Sequence, residues 1–450
     1  MADASSSRRR ALGLIFLTVF MDIVGFAVII PMYPALLGHY LSAEGGSGNL
    51  IGGVLDAARW LAGGEPRPEL VAVLLGGVLS AAFSLLQFLF SPLWGGLSDR
   101  TGRRPVLVAT LAGNVLAYLL WVVSGHFWLF VLSRGLCGLF AGNIAVASAA
   151  AADITSREDR AKGMAVVGVA IGLGFLFGPV IGGLASAWVL PHAAVPASSL
   201  ALHPFSGAAL VSAVLAVANL VLVWRFFPET LVAADRSTDT RSGFLGLLRA
   251  PAGGVRRASL ANLAYQVAFT GMETTVVFLT AAIFLYGPRD NAWLFLSNGL
   301  CLVAAQGLAG RFAVRRFGER AVASLGFVTG AVALAAIAFI PYPPPGAPAA
   351  EGLIPLFFGA TGLLAFSTGL ILPSLSSLVS LYSPPDEQGR NLGILRSAGA
   401  LARIVGPVAA AYVFFHTGTH QWVYAAGALL LLPGLWLVRT LPAPSANGQR

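Results

Sequence analysis

The sequence predicts an all-α membrane protein, with twelve transmembrane helices arranged as two bundles of six. Three observations carry that prediction. The chain is 57% hydrophobic and only 10% charged, with a mean hydropathy of +0.79, which is not the composition of a soluble domain. Apolar stretches of the length that crosses a hydrocarbon layer, about 20 residues, recur from end to end. One longer, charged connection divides those stretches six and six.

In order, the first six spans fall near residues 11–38, 70–94, 106–124, 127–151, 164–190 and 206–226, and the second six near 258–286, 291–310, 322–340, 353–381, 392–415 and 420–438. Charged or Gly/Pro-rich segments bound each of them. The result is an N-terminal bundle over 1–226 with a long outer loop at 39–69, a cytoplasmic linker at 227–257, and a C-terminal bundle over 258–450. Basic residues orient the stack. Of 28, only Arg59, Arg67 and Arg289 fall on the outer side, and Arg134, Arg396 and Arg403 lie inside spans. The rest lie in or beside segments that are cytoplasmic when both termini are inside. This is the pattern expected of a multi-pass protein of the plasma or inner membrane.

The remaining segments follow from the same rules. In the outer loop Leu50, Ile51, Val54, Leu55, Ala58 and Leu61 recur at helical spacing beside Asp56 and Arg59, which predicts a short helix on the membrane surface. The first apolar run follows Arg8, Arg9 and Arg10 but extends past the length of a signal peptide, so it is expected to remain as the first helix. The net charge of +9 sits in short loops between spans, which encodes topology and excludes nucleic-acid binding. Cys137 and Cys301 both fall within spans, so neither a disulfide framework nor a thiolate metal site is expected. All six histidines lie at the outer ends of spans, which excludes a histidine proton relay at mid-membrane.

The two halves read as structural repeats. Gly178-Pro179 in the fifth span has its counterpart in Gly406-Pro407 of the eleventh, and Gly102-Arg103-Arg104 after the second span is answered by Gly318-Glu319-Arg320 after the eighth. Such symmetry recurs in secondary transporters. The loop containing Gly95, Asp99, Arg100, Gly102, Arg103 and Arg104 sets one carboxylate among three guanidiniums at a tight turn, a composition able to latch two helix ends. In the fifth span Gly174, Gly178, Pro179, Gly182 and Gly183 allow close helix approach and a bend.

Those two ordered motifs resemble the signature loop and the antiporter-type fifth helix of the major facilitator superfamily. Phe20-Met21-Asp22-Ile23-Val24-Gly25 through Pro31 and Pro34 is similar to the first helix of its tetracycline-resistance and related drug/proton antiporters. The long outer loop, Glu273 and the segment from Leu395 to Arg403 look closer to the tetracycline-transporter-like, or tetran, branch. The resemblance covers nearly the whole sequence. It implies the major facilitator fold, alternating access, and drugs or organic anions as substrates. One departure stands out: where the first half has Asp99, the loop of Gly310-Arg311-Phe312-Ala313-Val314-Arg315 offers Val314, so a second latch is expected to be weak or absent.

Asp22 and Glu273 are the two carboxylates placed well inside spans, and such costly groups are functional candidates. Either can take up and release a proton as access alternates. Arg134 resembles the family's fourth-helix arginine and is placed to tune Asp22 or to contact substrate. Arg403, with Arg396 seven residues earlier on the same helical face, is a candidate anion contact, and Gln266 a polar one. The alternative is two static ion pairs, Asp22 with Arg134 and Glu273 with Arg403. Gln87, Asn143, Asn262, Asn298 and Gln306 are expected to make interhelical packing bonds.

The function expected is secondary transport by alternating access, with proton-coupled efflux of tetracycline-like drugs or organic anions. Organic-anion uptake or facilitated passage is the alternative within transport. A membrane-embedded enzyme is the alternative outside it, and it lacks a clustered nucleophile, acid/base pair or metal site. The expected partners are a small-molecule substrate, protons and the lipid bilayer, with the protein as a monomer and no cofactor, metal or nucleic acid.

Overall fold

The computed structural model describes residues 2–44, 48–155, 160–192, 200–231, 253–308, 312–342, 351–383 and 388–441. Most of the expected linker, 232–252, lies outside these residues, as do Gly310 and Arg311 of the second-half loop. Every predicted span holds a helix. Among the described residues eleven helical segments are long and apolar enough to cross a membrane. The eighth span is the 21-residue helix Pro288–Leu308, which carries Asp290 in its first turn.

The first span is two helices, α1 (Ala2–Ala27) and α2 (Tyr33–Glu44), separated by a 3-10 turn at Ile30–Met32. Pro31 and Pro34 explain the interruption, since neither has an amide hydrogen to continue an α-helical ladder. The outer-loop helix α3 (Leu50–Ala62) is capped by the Asn49 side chain, which accepts the Gly52 N–H at 2.7 Å, and ends on Gly63 at φ +67°. The second span, α4 (Pro68–Thr101), runs past the predicted end at 94. Hydropathy falls there, but Ser98 and Thr101 bond back to Gly95 and Leu97 and the backbone ladder continues. Only Gly102 separates α4 from α5 (Arg103–Val122). Its φ of +112° is available to glycine at little cost.

The fourth span is broken as well, into α6 (Phe127–Leu139) and α7 (Asn143–Asp153). Trp94 holds the break open: its indole N–H donates to the freed Leu139 carbonyl at 2.7 Å, and its side chain lies 2.5 Å from where a Cβ on Gly142 would sit. Next along the sequence come α8 (Arg160–Ala185), α9 (Ser206–Phe226), α10 (Gly254–Phe284), α11 (Pro288–Leu308), α12 (Val314–Ala338), α13 (Ile354–Leu381), α14 (Gln388–Thr417) and α15 (Gln421–Arg439). Gly318, inside α12, is non-helical at φ +79° and is the counterpart of Gly102.

Two compact units result, one of residues 1–64, 82–242 and 287–296, the other of 65–81, 243–286 and 297–450. In the first, α1 packs on α7, α8 and α9, and α5 on α6, α7 and α9. In the second, α10 packs on α13, α14 and α15, and α12 on α13 and α15. The same pairings recur in both units, with α1 and α5 of the first matched by α10 and α12 of the second.

Side-chain staples repeat too. The guanidinium of Arg104 donates to the carbonyl of Trp224 near the end of α9, and that of Arg320 to the carbonyl of Arg439 at the end of α15. At the opposite helix ends the His203 imidazole donates to the Trp121 carbonyl at 2.9 Å and that of His420 to the Ile337 carbonyl at 3.1 Å. These two histidines lie between spans, where burial pushes both down to about 4, against the opposing pull of their carbonyl partners.

Candidate functional site

In the first unit Asp22 sits five residues before the end of α1 and accepts two amide bonds at one oxygen, from Asn114 Nδ2 at 3.1 Å and Asn143 Nδ2 at 3.0 Å. The break between α6 and α7 makes this possible by placing Asn143 on the first turn of α7. The Phe140 ring lies against Gly113 of α5, where a side chain would not fit, so Thr110 and Asn114 on either side of Gly113 come into range of Asn143. Thr110 is bonded to Asn143 through its hydroxyl. Both asparagines are buried.

Arg134 on α6 is 4% exposed and makes no ion pair with Asp22 or any other carboxylate among the described residues. Its guanidinium packs instead among the rings of Trp121, Tyr118 and Phe130, at 4.8, 5.7 and 5.8 Å from their centroids. It donates to Ser133 at 3.4 Å, and one terminal nitrogen has no partner. Aromatic faces offset part of the cost of burying this cation.

In the second unit, α10 and α14 run side by side with Asn262 donating to the Leu395 carbonyl at 3.0 Å, Gln266 facing Gly399, and Thr270 donating to the Ala402 carbonyl at 3.2 Å. This register brings Glu273 close enough to Arg403 for their charges to interact, but no ion pair within 4.0 Å joins them. Glu273 is half-buried, and Arg396 and Arg403 are exposed rather than covered by neighbouring helices. None of the three has a hydrogen-bond partner among the described residues. Neither of the two static pairs entertained from the sequence is present. Asn262 and Asn143 both bond across helices, and one of the partners of Asn143 is a carboxylate.

At the α4–α5 turn, Arg103 forms the centre of a polar cluster. It bonds Asp99, donates to Asp153 at 2.9 Å and to the Ser98 hydroxyl at 2.7 Å. Glu229, just beyond α9, accepts the N–H of Arg103 at 2.8 Å and of Arg104 at 3.1 Å, capping the start of α5. Burial pushes the Glu229 carboxyl up, but the N–H groups of Leu231, Arg103, Arg104 and Thr230 outweigh it and hold the group below the ordinary glutamate range. Arg100 is exposed, with no partner among the described residues, and Gly95 contributes only its carbonyl. The counterpart turn has no such cluster among the described residues: Val314 packs into an apolar group with Ala305, Val322 and Leu370, and Glu319 bonds only Ser377, at 3.1 Å.

The glycines of α8 face α1. A Cβ on Gly174 would lie 2.6 Å from Ile23, one on Gly178 2.6 Å from Ala27, and one on Gly182 inside the Val28 carbonyl. Gly183 meets Ala292 in the same way, at 2.6 Å. Pro179 lies within the helix.

Asp153, Glu229, Thr110 and Asn114 were not singled out from the sequence. Asp153 and Glu229 carried a usable signal, each being a carboxylate just past the end of a predicted span in a basic neighbourhood. Thr110 and Asn114 carried none, being polar residues of ordinary kind inside an apolar run.

The long apolar helices among the described residues and the two similarly paired units define a multi-pass membrane protein. The chain belongs to the major facilitator superfamily, whose family model matches residues 15–287 and 261–450. It is 34% identical to the major facilitator superfamily domain-containing protein 10 of Bos taurus, over 97% of this chain and 94% of that protein. It is 28% identical to the class B tetracycline resistance protein of Escherichia coli, over 96% of each. Among solved structures it is similar to the human organic anion transporter MFSD10 (TETRAN), with 30% identity, a TM-score of 0.73, and coverage of 96% of this chain and 99% of that one. The expected fold and the likeness to the tetran and tetracycline-resistance groups hold, and these relatives are transporters rather than enzymes.

Proposed function

We propose that this protein exports organic anions or amphipathic, tetracycline-like drugs in exchange for protons, as a monomer of the plasma or inner membrane with both termini cytoplasmic. The observation that carries this reading is the state of the two intramembrane carboxylates. Asp22 is held by neutral amides, and Glu273 by no hydrogen bond at all among the described residues, so each can change protonation without breaking a salt bridge. Unpaired Arg396 and Arg403 supply the attraction for an anion. The Arg103 cluster acts as the latch that opens as the cytoplasmic helix ends separate, and the α8 glycines give the close contact of an antiporter-type helix.

Substrate-driven proton flux in liposomes with a set pH gradient tests the reading, using an organic anion and tetracycline as probes. Asp22→Asn, Glu273→Gln or both should lose coupled flux, whereas wild-type coupling in both removes these residues as proton carriers. Arg403→Ala should weaken anionic substrates by roughly 10- to 100-fold, the worth of one charge-assisted hydrogen bond, and neutral ones less. Equal losses for both classes would remove Arg403 as the anion contact. The unpaired arginines also favour a second reading, passage of an organic anion without proton exchange. Counterflow under pH gradients of either sign separates the two.

A further inference from the structure

The Asp22 cluster contains a hydroxyl with more acceptors than it can serve. Thr110 Oγ1 lies 2.9 Å from the Val106 carbonyl and 3.1 Å from that of Leu107, and it is also bonded to Asn143. A hydroxyl donates one bond, while an amide exchanges its donor and acceptor ends by a half-turn. Two arrangements therefore satisfy the same atoms. With Asp22 ionised, Asn143 donates to the carboxylate and its oxygen accepts the Thr110 hydroxyl. With Asp22 protonated, the new O–H donates to the turned Asn143 oxygen, Asn143 donates to Thr110 Oγ1, and Thr110 donates to the Val106 carbonyl.

We infer that Asn143 and Thr110 form a two-position relay that stabilises Asp22 in both protonation states, and that they are positioning residues for the proton step. The inference rests on the proposed role of Asp22 as a proton carrier. One proton is added to or removed from the Asp22 carboxylate, and every other group only rotates. No backbone movement is needed, and no arginine has to leave. Asn114 cannot do the same, because its oxygen is buried without a partner and turning it would strand its donors instead.

The surroundings fit this assignment. The ionisable groups that interact with the Asp22 charge are Tyr118 on α5 and Cys137 on α6, and Arg134 on α6 acts on those two. Those of α7, α8 and α9 stand only at helix ends, at positions 153, 160, 162 and 225. The Asp22 oxygens are thus met by amides rather than by a fixed cation.

The test combines proton flux in liposomes with acid-to-neutral difference infrared spectroscopy of the purified protein. In the wild type, the Asp22 carboxylic acid band should disappear together with a shift of an asparagine amide carbonyl band, and Asp22→Asn should remove both. Asn143→Ala should lose the asparagine signal and move the pH profile of substrate-driven proton flux upward by about one unit, since the charged form loses the stronger bond. Thr110→Val should alter the asparagine signal and Thr110→Ser retain it. An Asp22 band that changes with no asparagine band overturns the relay alone, as does an Asn143→Ala flux profile matching wild type when Asp22→Asn abolishes coupling. Intact coupling in Asp22→Asn overturns the proton assignment and the relay with it.

Discussion

Arg134 shows what a single residue can do in an apolar interior without a counter-ion. Its guanidinium is planar and weakly hydrated, so it stacks on Trp121 at 4.8 Å where an ammonium would demand water. Arg134→Lys keeps the charge and loses the stacking. It should destabilise the purified protein by about 1–2 kcal/mol in thermal unfolding, and a variant as stable as wild type would show that the aromatic box contributes nothing. Glu229 works at the same scale by closing the start of α5. Glu229→Ala uncovers the Arg103 and Arg104 N–H groups and should cost about 1 kcal/mol, readable in the same unfolding measurement.

Between helices, the decisive property is how closely two backbones approach. Gly182 faces the Val28 carbonyl with no room for a methyl group, so Gly182→Ala must push α8 away from the end of α1, just before the turn at Ile30–Met32. Overpacking of this kind costs about 1–3 kcal/mol. Gly168 on the same helix has open space around it, and Gly168→Ala should leave stability unchanged or slightly raised. Equal behaviour of the two variants in thermal unfolding would contradict the packing argument. The break between α6 and α7 is likewise a matter of elements, since Trp94 on α4 satisfies the freed carbonyl while Gly142 makes room for the ring.

For the molecule as a whole, two behaviours follow from paired features. His203 and His420 staple the ends of α5 and α12, and both are neutral at pH 7 because burial holds them near 4. A histidine depressed on folding stabilises above its unfolded value of 6.5 and loses that contribution as pH falls through its folded value. Stability should therefore decline between pH 6.5 and about 4, and His203→Asn with His420→Asn should flatten that decline at some cost at neutral pH. Topology gives the other expectation. A membrane-impermeant thiol reagent should label His192→Cys from outside the cell and Thr230→Cys only after permeabilisation. The reverse pattern would invert the proposed orientation.

What the sequence determined by itself was the solvent, the number of spans, their order and the family. Each of these is written in local quantities, such as a run of apolar residues, the side on which arginines fall, or a short ordered motif. It also picked out Asp22, Glu273, Arg134, Arg396 and Arg403, because a charge inside an apolar run is costly wherever the run folds. Tertiary structure alone decided what each of those charges meets. Arg134 met aromatic rings rather than Asp22, Asp22 met two amides, and Arg103 gathered Asp153 and Glu229 from distant segments around the turn. Such partners depend on which helix faces are adjacent and on a break in the fourth span held by Trp94. Those are properties of packing between helices far apart in sequence, and no local run of residues records them.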